Sequence, residues 1–105
     1  MDFITIFIKD KTQNKREFIL PNDPAFSLME MLRASELPVL GTCGGIALCA
    51  SCHIYVLSDN ALPKENEEEL KLLDSLHNYQ FNSRLSCQLR MNDKLDQLTI
   101  EIAPV

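Results

Sequence analysis

Three of the four cysteines fall within eleven residues, Thr42 to Cys52 (TCGGIALCASC), together with two of the three glycines. Their spacing is C-x5-C-x2-C, and the fourth, Cys87, follows after 34 further residues in the string SRLSCQ. Thiolates are metal ligands, and three on one short loop with a single distant fourth suit a compact cluster better than one ion. The loop must wrap an object that carries several sulfurs.

Two ferric ions, two sulfides and four thiolates carry a formal charge of about −2, and one added electron makes it about −3. Such an anion needs donors close by. Gly44 and Gly45 let the backbone approach with positive φ, and small Ala47, Ala50 and Ser51 do not obstruct its N–H groups. Hydrogen bonds of that kind to sulfur help to set a reduction potential. Ile46 and Leu48 are read as shielding residues.

The strings CGGIALCASCHIYV and NSRLSCQ resemble the 2Fe-2S ferredoxins of the adrenodoxin and putidaredoxin type. The plant-type branch has four residues in the first gap, whereas this chain has five. The resemblance spans roughly Phe3 to Pro104 and implies a β-grasp sheet crossed by a helix, with a smaller lobe over about residues 58 to 83. It implies that Cys43 and Cys49 bind one iron, and Cys52 and Cys87 the other. It implies that His53 hydrogen-bonds to the smaller lobe and ties cluster state to its position. A flavin-dependent NAD(P)H reductase would supply the electron. The acceptor would be a haem-thiolate monooxygenase or the iron-sulfur cluster assembly machinery.

The elements that must position these residues are legible in outline. Phe3 to Ile8 (FITIFI) and Arg16 to Leu20 (REFIL) flank the polar turn Lys9 to Asn14 and predict a β-hairpin. Pro21 to Pro24 breaks the second strand. Ser27 with Glu30 forms a capping box ahead of Leu28, Met31 and Leu32, which predict a helix of two to three turns. His53 to Leu57 reads as a strand leaving the cysteine loop, and residues 58–63 as a loop. Asn66 to Glu69 caps a second helix whose Leu70, Leu73 and Leu76 are expected to form its buried face. Ser83 to Leu89 brings Cys87 back, and Leu98 to Ile102 closes the chain as a strand. This order predicts an α+β fold, and no linker or repeat interrupts it, so residues 1–105 are expected to form a single domain.

Fifteen acids against ten bases give a net charge of −5, which disfavours nucleic acid and anionic membranes as partners. No apolar run reaches transmembrane length. Phe3 follows Met1 and Asp2 directly into a strand pattern with no basic leader, so four cysteines are expected to act as ligands in a cytoplasmic monomer. Between Leu57 and Leu76 six acids face two bases, a balance of −4. The resemblance implies that acids on this helix, Glu67, Glu68 and Asp74 with their neighbours, meet basic patches on the reductase and acceptor. The plain alternative is a solvated helix face whose acids favour its N-terminus.

Other readings of the cysteines remain open. A zinc-stabilised interaction module without redox activity also uses four thiolates, usually as two C-x2-C-like pairs. A Rieske centre needs two histidine ligands, whereas this chain carries a complete set of cysteines beside His53. Arg84, three residues before Cys87, is read as a structural clamp or a contact to the cluster lobe, and Tyr55 as a strand aromatic. The expected function is one-electron transfer, with no general base and no substrate pocket.

Overall fold

The computed structural model describes residues 2–9, 12, 14–34 and 53–103. Strands β1 (Phe3–Lys9) and β2 (Lys15–Pro21) form the expected hairpin, in register from Phe3 opposite Pro21 to Lys9 opposite Lys15. Alternation along β1 turns Ile4, Ile6 and Ile8 into the core and leaves Phe3 exposed.

Helix α1 (Leu28–Ala34) follows, and its capping box is formed. The Glu30 carboxylate accepts from the Ser27 N–H at 3.0 Å, while Ser27 Oγ accepts from the Glu30 N–H at 3.3 Å. The helix buries Leu28, Met29 and Leu32, with Met31 only partly covered. The expected stripe named Met31 instead of Met29. Positions 28, 29 and 32 share one face of a 3.6-residue turn, so the buried face is rotated slightly from that expectation.

Strand β3 (His53–Val56), helix α2 (Glu67–Ser75), strand β4 (Ser83–Leu85) and strand β5 (Leu98–Ile102) are the remaining strands and α-helix among the described residues. Short 3-10 turns occupy Ser86–Gln88 and Asp93–Leu95. The sheet order is β2-β1-β5-β3-β4. β5 runs parallel to β1 with Ile6 opposite Leu98 and Ile8 opposite Ile100, and antiparallel to β3 with Ile54 opposite Ile102. Among the described residues, this mixed five-stranded sheet with two α-helices is the β-grasp, α+β arrangement expected.

Ile4, Ile6, Leu28, Leu32, Ile54, Leu85, Leu89, Leu98 and Ile100 are almost fully buried in one cluster. At about 1.5–3 kcal/mol per buried side chain of this size, the cluster is the main source of cohesion between α1, the sheet and the turn that carries Cys87. Among the described residues no helix is long and apolar enough to cross a membrane.

The second helix departs from its expected face. Leu73 is buried and Leu76 partly buried, but Leu70 is 42% exposed, and the other buried position is Glu69. Leucines spaced by three drift around a 3.6-residue helix, whereas positions 69, 72, 73 and 76 stay within one face. The packed face is therefore set by the second group.

Candidate metal centre

Cys87 sits in the middle of the 3-10 turn that ends β4. It is 6% exposed, and Ser86 and Leu89 beside it are fully buried. The side-chain amide of Gln88 donates to Cys87 Sγ at 3.5 Å. β3 and β4 pair antiparallel with His53 opposite Leu85. The end of β3 from which the chain leads back to Cys52 is therefore the end of the ladder at which Cys87 lies.

Cys43, Cys49 and Cys52, with Gly44, Gly45, Ala47 and Ser51, lie outside the described residues. Among the described residues no group of three His, Cys, Asp or Glu side chains is assembled for a metal ion. The part that is described fits a sulfur-ligated anion on two counts. The thiol of Cys87 is buried yet supplied with an N–H donor. In addition, His53 Nδ1, one residue from Cys52, is buried without a hydrogen-bond partner among the described residues.

His53 does reach into the segment after α2. Its Nε2 lies 2.7 Å from Ser83 Oγ, and the Gln80 N–H donates to the same hydroxyl oxygen at 2.9 Å. Tyr55, next on the same face of β3, donates its hydroxyl to the Asn78 carbonyl at 2.8 Å. The two rings meet edge to face, with centroids 4.9 Å apart. β3 thus grips residues 78–83 at two points. Burial lowers the His53 pKa and favours the neutral imidazole. The Tyr55 pKa is raised, chiefly by burial and secondarily by the charge of Glu101.

Arg84 is a structural clamp. Its Nε and Nη2 bind Glu69 Oε2 and Oε1 at 2.9 and 3.2 Å, and Nη1 donates to the Pro63 carbonyl at 2.7 Å. Glu69 Oε2 also accepts the Leu85 N–H at 2.9 Å. This bidentate pair joins α2 to β4 two to three residues before Cys87. Glu65 lies 3.4 Å from the same guanidinium. Glu69 therefore leaves the surface charge that the acidic run was expected to present, because a buried carboxylate must be paired and hydrogen-bonded. Glu67, Glu68 and Asp74 are exposed on α2.

The cap at Asn66 is formed as expected, whereas its second contact, to Gln88, was not expected from the sequence. Asn66 caps α2, its Oδ1 accepting from the Glu69 N–H at 2.8 Å, and its Nδ2 donates to Gln88 Oε1 at 2.9 Å. In the sequence, Gln88 is marked only by belonging to the string around Cys87. Its position directly after a ligand candidate was the available signal.

Comparison with known proteins agrees with this geometry. The model of the 2Fe-2S iron-sulfur cluster binding domain matches residues 11–92. Ferredoxin CarAc from a Sphingomonas species is 37% identical over 89 residues, covering 82% of each chain. The mitochondrial adrenodoxin homolog of Saccharomyces cerevisiae is 29% identical over 101 residues, covering 94% of this chain and 56% of that protein. A putidaredoxin chain, solved in covalent complex with putidaredoxin reductase, superposes with a TM-score of 0.79 at 31% identity, covering 93% of this chain and 96% of that one. A cysteine-bearing turn on a β-grasp edge and a cluster-binding match across most of the chain lead to one conclusion: this chain belongs to the 2Fe-2S ferredoxins of the adrenodoxin and putidaredoxin type, and carries electrons on its cluster rather than catalysing a reaction.

Proposed function

We propose that Cys43, Cys49, Cys52 and Cys87 hold the 2Fe-2S cluster of this chain, and that residues 1–105 work as one domain and as a monomer. The observation that carries the ligand assignment is the β3–β4 register, with His53 opposite Leu85, at the end of the ladder where Cys87 accepts an N–H. The cluster supplies reversible one-electron chemistry near the surface. Gly44, Gly45, Ala47 and Ser51 serve its environment by close approach of backbone donors. His53 holds Ser83, so the segment 78–83 is coupled to the cluster side of β3.

In this reading a flavin-dependent NAD(P)H reductase delivers the electron, a role supported by likeness to the putidaredoxin chain solved with its reductase. The acceptor belongs to the haem-thiolate monooxygenases or to the iron-sulfur cluster assembly machinery. Thiolate ligation suits a reducing compartment such as the cytoplasm. Glu67, Glu68 and Asp74 form the docking charge, since all three stay exposed on one helix while Glu69 is withdrawn.

Elemental analysis tests the site directly. Purified protein is expected to contain two irons and two acid-labile sulfides per chain, with visible absorption that bleaches on reduction. About one zinc per colourless chain would replace this reading with a zinc-stabilised module. Cys87→Ser is expected to lose or distort the cluster and lower the melting temperature, because cluster binding and folding are linked. Reconstituted transfer to each acceptor class separates the two.

A further inference from the structure

The hydrogen bonds between the N-cap of α2 and Cys87 have a polarity that the backbone dictates. The Glu69 N–H can only donate, so the Asn66 atom facing it must be the carbonyl Oδ1. Nδ2 of Asn66 then faces Gln88, and Gln88 must present its Oε1 there, at 2.9 Å. That leaves Gln88 Nε2 on Cys87 Sγ at 3.5 Å. Neither of these two side-chain amides can be turned round without setting donor against donor or acceptor against acceptor.

We propose that Asn66 and Gln88 form a relay that raises the reduction potential of the cluster from the Cys87 side, with Gln88 as the donor and Asn66 as the residue that positions it. The inference rests on Cys87 being a ligand. An N–H directed at a ligand sulfur stabilises the more negative, reduced state more than the oxidised one. Donation by Asn66 into Gln88 Oε1 polarises the amide and strengthens that N–H. Gln88 is half-buried, so its contact with sulfur is partly shielded from competing water.

Redox titration of the cluster-loaded protein, with two variants, is the test. Gln88→Met keeps the side chain's length and removes the donor. Asn66→Ser keeps an oxygen to cap Glu69, is neutral, and lacks the N–H that holds Gln88. For Gln88→Met the ratio of reduced to oxidised protein at a fixed poise should fall about tenfold, equivalent to a midpoint about 59 mV lower. For Asn66→Ser it should fall in the same direction by less, with the melting temperature little changed. If Gln88→Met does not load its cluster, Asn66→Ser carries the test alone. Midpoints unchanged in loaded variants overturn the relay and leave the cluster assignment standing. A shift in Gln88→Met with none in Asn66→Ser also overturns the relay. Native protein without iron and sulfide overturns both.

Discussion

At the scale of single residues, Glu69 and Arg84 form a buried bidentate pair that braces α2 against β4. Removing one member of a buried pair leaves an uncompensated charge, at about 3–5 kcal/mol. Glu69→Leu removes the bidentate partner of Arg84 and the acceptor of the Leu85 N–H together, with Glu65 and the Pro63 carbonyl still beside the guanidinium, so its urea midpoint should fall by up to a corresponding amount. The double variant Glu69→Leu/Arg84→Met should lose less than the sum of the two single changes, and strict additivity in the cycle would deny the coupling. Ser83→Ala deprives buried His53 Nε2 and the Gln80 N–H of their shared partner. A loss of about 1–3 kcal/mol is expected, with faster amide exchange in residues 78–83.

At the scale of elements, local chemistry made several of them readable. The Ser27/Glu30 box, the alternation Ile4-Ile6-Ile8 and the Asn66 cap each depend on residues no more than four apart. The buried face of α2 was not readable in that way, because a partner 15 residues further on draws Glu69 inward. The turn into β5 was equally hidden. Gln97 adopts φ 66°, with its N–H donating to the Thr5 carbonyl at 2.8 Å, and a side chain there carries steric strain. Gln97→Gly should be neutral or stabilising by up to about 1 kcal/mol, while Gln97→Val should destabilise by more than about 1 kcal/mol. Thermal melts of the two variants check this, and equal melting temperatures would rule out strain at Gln97.

At the scale of the whole molecule, a net charge of −5 and an anionic cofactor favour attraction to basic partners over distances that salt can screen. Neutralising Glu67, Glu68 and Asp74 together, as Gln, Gln and Asn, should slow second-order reduction by the reductase on the order of tenfold at low salt. The difference should shrink as ionic strength rises. Equal rates and equal salt slopes in both proteins would move the docking charge elsewhere.

The count and spacing of Cys43, Cys49, Cys52 and Cys87 are covalent facts, legible without any fold, that restrict what the chain can ligate. The hairpin, the caps and the charge are likewise legible, because they arise from neighbours along the chain. Long-range packing alone makes Glu69 a buried brace rather than a docking acid, brings His53 to Ser83, and links Asn66 to Cys87 through Gln88. Those contacts join residues 15 to 30 positions apart, or pass through Gln88, 22 positions from Asn66. No local pattern selects them, because strand register and helix rotation are fixed by how the whole core packs.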